Sequence, residues 1–118
     1  MLSERILLHF REPYHAGEMA DATSVADVSN PVCGDIMRLA VKMEGGKIRE
    51  ARFKTQGCVA SIAAGSVLTG LLEGKTVQEA RKLSAKEVSD ALGELPQASF
   101  HAAQLCVDAV AAVLKNRK

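Results

Sequence analysis

The chain has 118 residues, nearly half of them hydrophobic, and its 15 basic and 14 acidic side chains leave a formal net charge of +1. That is enough for one domain with a real core, and the balanced charge gives no electrostatic footprint for nucleic acid or an anionic membrane. The core must be aliphatic, because tryptophan is absent and the aromatic residues are Phe10, Phe53, Phe100 and Tyr14.

No apolar run in the sequence approaches the roughly 18–20 residues of a membrane span. The opening Met1-Leu2-Ser3-Glu4-Arg5 mixes acid with base and does not read as a signal peptide. Three cysteines, an odd number, do not suit a closed disulfide framework. The expectation is a cytoplasmic protein, whose cysteines bind metal, catalyse or are buried.

In chain order, Leu2, Ile6, Leu7 and Phe10 recur near helical spacing, and Pro13 closes a short helix over 2–11. Residues 14–21 are polar and small and read as mobile. Ala22 to Val28 reads as a strand, with Ser29-Asn30-Pro31 as a turn. From Asp35 to Glu44, Met37, Leu39, Val41 and Met43 alternate with Arg38, Lys42 and Glu44, the pattern of a half-buried strand. Gly45-Gly46 tolerates the positive φ of a tight hairpin turn. The second strand runs from Lys47 to Thr55. Ile48 is out of phase with Ala51 and Phe53, which predicts a bulge near Arg49 and Glu50.

Gly57 ends that strand. Cys58 to Glu73 reads as a helix that is apolar on most sides and so largely buried, with Gly74 just past its end. Thr76-Val77-Gln78-Glu79 and Ser84-Ala85-Lys86-Glu87 each have capping-box spacing. They open short helices to about Leu83 and Leu92. Pro96 sits in the next connection. Residues 99–115 form the last helix, ending in the basic tail Lys115-Asn116-Arg117-Lys118. Strands first and helices afterwards predict an α+β domain, a small antiparallel sheet of about three strands packed against a C-terminal set of helices.

The cysteines fall at chosen points of this map. Cys33 lies just before the hairpin, in Asn30-Pro31-Val32-Cys33-Gly34-Asp35, and Cys58 lies where the second strand meets the buried helix. Pairing about Gly45-Gly46 sets residue 35 near residues 55–57, so Cys33, Asp35 and Cys58 come to one end of the hairpin. Cys58 at a helix N-terminus feels the positive end of the helix dipole, which favours thiolate. Two thiolates with a carboxylate suit zinc or an iron–sulfur site. A fourth ligand would come from the last helix, which carries His101 near its start and Cys106 further in. Cys106, beside Val107, Val110 and Val113, reads first as a buried apolar residue and second as a ligand. His9 and His15 have no partner that the sequence places near them and read as surface residues. Ser61 and Ser66 are expected to bond to the preceding helical turn. Neither a Ser-His-Asp arrangement nor a phosphate-cradling glycine loop is evident.

Along nearly its whole length the chain resembles the cluster scaffold proteins of the IscU/NifU kind. The resemblance rests on the N-terminal helix with Pro13, Cys33-Gly34-Asp35, the hairpin and Phe53-Lys54-Thr55-Gln56-Gly57-Cys58. It continues through the Ala- and Ser-rich helix, Glu73-Gly74-Lys75-Thr76, Leu95-Pro96, His101 and Asp108. It implies one IscU/NifU N-terminal-type domain over 1–118, a carrier rather than an enzyme, on which a [2Fe–2S] cluster is built. A cysteine desulfurase would supply sulfur as persulfide, an iron donor the iron, and apo-proteins would receive the cluster. Cys33 and Cys58 would be cluster ligands and sulfur acceptors, Asp35 would keep the cluster labile, and His101 would be a further ligand. A tyrosine near the N-terminus, here Tyr14, reaches a partner surface in relatives.

Two features depart from the family pattern. The family's third cysteine follows the histidine directly; here that residue is Ala102, and Cys106 stands four positions on. The chaperone-recognition segment Leu-Pro-Pro-Val-Lys is replaced by Leu95-Pro96-Gln97-Ala98-Ser99, which argues against an Hsp70-type partner. A zinc-bound sulfur-transfer partner of a desulfurase (SufU-like) and a degenerate interaction domain without metal are the alternative readings.

Overall fold

The computed structural model describes residues 3–31 and 34–116. Three strands, β1 (Ser24–Ser29), β2 (Ile36–Glu44) and β3 (Lys47–Gln56), form an antiparallel sheet in that order. Helix α1 (Glu4–Arg11) precedes the sheet. Helices α2 (Val59–Leu72), α3 (Val77–Arg81), α4 (Ala85–Ala91) and α5 (His101–Asn116) follow it, with a 3₁₀ turn over Gln97–Ser99 leading into α5. This is the expected α+β arrangement.

The hairpin follows from its sequence. Gly45 and Gly46 both adopt positive φ, +61° and +78°, the requirement of a two-residue turn whose twist matches the strands. Beyond the turn Met43 pairs with Ile48 but Lys42 pairs with Glu50, so Arg49 is the extra residue of a bulge. The bulge restores phase: Ile48, Ala51 and Phe53 all point into the core with Met37, Leu39 and Val41.

That inner face of the sheet packs on α2 and α5. Helix α2 is buried on most sides, with Ala60, Ala63, Ala64, Leu68 and Leu72 nearly inaccessible. It can lie this close to β3 because position 65 is glycine: a Cβ there would fall inside contact distance of the Phe53 ring. Helix α5 contributes Leu105, Cys106, Ala109, Val110 and Val113. Both capping boxes form. Thr76 and Glu79, and Ser84 and Glu87, exchange side-chain and backbone bonds reciprocally.

The N-terminal helix forms as expected; in it Ile6 is fully buried while Leu7 and Phe10 keep about two-fifths of their surface, so among the described residues of the stripe Ile6 is the one that reaches the core; Leu2 lies outside the described residues. Two expectations are corrected. Residues 14–17 are pinned rather than mobile. Ala16 bridges to Phe53, Gly17 N–H donates to Phe53 O (2.8 Å) and Phe53 N–H to His15 O (3.1 Å), adding a short segment to the edge of β3. Lastly, residues 97–116 make one helical stretch of 20 residues with mean hydropathy 1.2, long and apolar enough by composition to span a membrane. The sequence hides this because Gln97, Ser99, Gln104 and Asp108 interrupt the run. In the fold the apolar side of α5 is buried in the core while Gln104, Asp108 and Lys115 face outward, the division of a core helix.

Candidate metal centre

Strand register builds the centre. Ile36 pairs with Gln56, so Asp35, one residue outside β2, faces Gly57, one residue outside β3. Gly34, at φ +77° and with its N–H donating to Asn30 O (2.7 Å), leads into Asp35. Gly57 is needed for a different reason. A Cβ on it would sit 2.5 Å from Asp35 Cγ and Oδ1, so only a bare backbone lets the carboxylate lie here. The next residue, Cys58, is exposed and is the N-cap of α2 in extended conformation; with no side-chain cap bond, its sulfur is available to groups beside the positive end of the helix. His101 opens α5 and reaches the same place.

Asp35 is 5% exposed, and its Oδ2 is the hub. Cys58 Sγ lies 3.3 Å from Oδ2, His101 Nε2 lies 3.4 Å from Oδ2, and Cys58 Sγ and His101 Nε2 are 3.8 Å apart. These distances can be compared with what an ion requires. A tetrahedral metal with bonds of about 2.3 Å to sulfur and about 2.0–2.1 Å to nitrogen or oxygen sets its ligand atoms about 3.3–3.6 Å from one another. The triangle of sulfur, oxygen and nitrogen is therefore already close to one face of a coordination tetrahedron. Its chemistry is that of a borderline-soft cation: zinc, or the iron of a cluster.

Asp35, Cys58 and His101 are thus brought together. Cys33 lies outside the described residues. Cys106 is not with them: it is inaccessible to solvent in the core, and burial raises its thiol pKa far above the ordinary range, so it does not offer a thiolate. The sequence leaned this way, since Val110 and Val113 share its buried face. Ala102, beside His101, is likewise buried.

Sequence reasoning missed four side chains. Ser61, expected to bond to its own helix, instead donates its hydroxyl hydrogen to Asp35 Oδ2. Ser66 accepts from Tyr14 N–H (2.7 Å) and lies 2.7 Å from His9 Nδ1. His15 Nδ1 lies 2.9 Å from Glu73 Oε2 and 3.1 Å from Ala51 O, and its ring stacks on Tyr14. His9 and His15 are therefore partnered, and with Tyr14 they strap the N-terminal segment to α2. The one available signal was compositional: serines at positions 61 and 66 of an otherwise apolar buried helix need partners, and their own turn is not the sole choice.

An α+β domain with a thiol, carboxylate and imidazole gathered at one end of its hairpin is the class of protein defined so far. The family profile described as "NifU-like N terminal domain" matches residues 1–118, and the chain belongs to that family. Among curated relatives, the iron-sulfur cluster assembly scaffold protein IscU 1 of Archaeoglobus fulgidus is 40% identical over 110 residues, 93% of this chain and 72% of that one. Among solved structures, the N-terminal part of a nitrogen-fixing NifU-like protein from Brucella abortus superposes with a TM-score of 0.76. It is 22% identical, over 96% of this chain and 91% of that one. A protein described as a putative scaffold for the SUF system, from Fervidobacterium islandicum, gives a TM-score of 0.65 at 24% identity, over 97% and 91%. At these identities the two structures speak for the fold.

Proposed function

We propose that this chain is a scaffold on which a [2Fe–2S] cluster is assembled and from which it is passed to apo-proteins. The observation that carries the reading is the triangle of Cys58 Sγ, Asp35 Oδ2 and His101 Nε2, spaced for a tetrahedral metal and set at an accessible helix end. Cys33, two residues before Asp35 in the sequence, is the further thiolate. The cluster is cargo, held by Cys33, Asp35, Cys58 and His101, and the protein acts as a carrier in the cytoplasm rather than as an enzyme. Cys58 and Cys33 take sulfane sulfur as persulfide from a cysteine desulfurase, whose thiolate is the leaving group; an external electron donor reduces that sulfur to sulfide, iron comes from a donor, and the mixed donor set lets the cluster leave. A hard carboxylate oxygen among soft sulfurs binds iron less well than a fourth thiolate. Family membership and the name of the Archaeoglobus relative support this reading.

The test is iron and acid-labile sulfide in protein purified without oxygen, and after reconstitution with iron, sulfide and a desulfurase. Iron and sulfide present in wild type and lost in Cys58→Ala are expected. A second reading, a zinc-bound sulfur acceptor, is favoured by the same triangle, which suits one ion as well as a cluster. Stoichiometric zinc with stimulation of a desulfurase and without sulfide would decide for it. Metal absent from every sample would refute both and leave an interaction domain.

A further inference from the structure

We propose that Ser61 is the positioning residue of this centre: its hydroxyl fixes the Asp35 carboxylate so that Oδ2 is held toward Cys58 and His101. The inference rests on the reading of Asp35, Cys58 and His101 as ligands and goes beyond it by assigning a role to a residue that offers no ligand atom there.

A serine inside a helix ordinarily bonds the carbonyl one turn back. Ser61 is fully buried, stands one turn after Cys58 on the same face of α2, and gives its hydrogen to Asp35, 26 positions away in the chain. Its acceptor is Oδ2, the oxygen that also faces Cys58 Sγ and His101 Nε2. Ser61 therefore anchors the same oxygen that faces the sulfur and the nitrogen, and a metal held by all three would sit on that side of the carboxylate. The carboxylate is bounded on the Gly57 side as well, where a Cβ would meet Cγ and Oδ1 at 2.5 Å.

Held between Gly57 and Ser61, the carboxylate turns Oδ2 toward a sulfur and a nitrogen. That donor set suits four-coordinate ions and does not suit calcium, which takes six to eight oxygens. Ser61 also lies 3.4 Å from Cys58 Sγ, so one hydroxyl touches two of the three ligands. Partners of this kind orient metal ligands, and their loss costs roughly 10–100-fold in metal affinity.

The experiment is a titration of the full chain with Co²⁺ alone, without oxygen. It reads affinity and the sulfur-to-metal and ligand-field absorption in wild type, Ser61→Ala, Asp35→Ala and the double variant. Alanine is smaller than serine and a better helix former, so Ser61→Ala is expected to keep the fold, checked by circular dichroism and melting. The expected result is about a tenfold or greater loss of Co²⁺ affinity with an altered ligand-field band in Ser61→Ala. In the Asp35→Ala background, Ser61→Ala should cause no further loss, because it acts through that carboxylate. Wild-type affinity and spectrum in Ser61→Ala would overturn the proposal. So would an undiminished effect of Ser61→Ala in the Asp35→Ala background, which would mean that the residue acts through Cys58 or through packing and not through the carboxylate. Wild-type protein that binds no Co²⁺ would overturn the ligand reading itself, and this inference with it.

Discussion

Replacing Gly57 with alanine tests how tightly the carboxylate is placed. The new Cβ would meet Asp35 Cγ and Oδ1 at 2.5 Å. Carbon atoms prefer about 3.5–4.0 Å, so the carboxylate must retreat by about 1 Å. The backbone contributes no penalty of its own, because Gly57 is not among the positive-φ positions that favour glycine. Retreat breaks the Ser61 bond, and a hydrogen bond to a charged group is worth about 1.5–3 kcal/mol. Alanine also restricts the unfolded chain, which returns about 0.4–1 kcal/mol. The net expectation is a loss of about 1–2 kcal/mol, or roughly 4–8 °C in Tm for a chain of this size. Because Oδ2 leaves the triangle with Cys58 and His101, Co²⁺ or Zn²⁺ affinity should fall at least about tenfold as well. Thermal melts and metal titrations read the two effects on one sample. A variant that melts like wild type and binds metal equally well would refute the argument, since it would mean that Asp35 can move without consequence.

Gly65→Ala sets helix propensity against packing. Alanine gains about 1 kcal/mol in a helix interior, but its Cβ meets the buried Phe53 ring, and overpacking costs about 1–3 kcal/mol. A lower Tm is expected, partly restored by Phe53→Leu in the same chain. Cys106→Ala should leave metal content unchanged and cost about 1 kcal/mol, the scale of deleting one small buried group, and a maleimide should reach Cys106 only when the protein unfolds. His9 supplies a pH dependence. Burial lowers its folded pKa below the ordinary 6.5, so the unfolded chain binds more protons between those two values. Its contribution to stability is complete above 6.5 and is lost as pH falls through the folded value. Tm measured from about pH 7.5 down to about pH 5 should therefore fall less in His9→Gln than in wild type.

What the sequence disclosed and what it withheld divide along contact distance. The Gly45-Gly46 turn, the bulge at Arg49 and the two capping boxes are written in residues one to four apart, and each could be read locally. Asp35 and Cys58 could be placed together because a hairpin converts 23 positions of sequence into one register. No such rule links Ser61 to Asp35, His9 to Ser66 or His15 to Glu73, since these contacts depend on how α2 lies across the sheet and how the N-terminal segment returns to it. The stripe of α1 is legible as a helix, but periodicity identifies only a face; the packed structure shows that among its described residues Ile6 reaches the interior while Leu7 and Phe10 stay at the surface.

The short segment beside β3 has a consequence for how copies of the chain meet. An open strand edge is a template on which another chain can build, and proteins that leave one bare risk sticking to themselves. Here the carbonyl of Phe53 is taken by Gly17 N–H, that of Ala51 by the His15 ring, and that of Ile48 by Gly74 N–H (2.7 Å). Ile48 N–H and Phe53 N–H are spoken for as well, by Lys75 and His15. The strand that leads to Cys58 is thus fenced at these positions along its outer side by the chain's own backbone and one histidine, which denies a second copy that edge as a template.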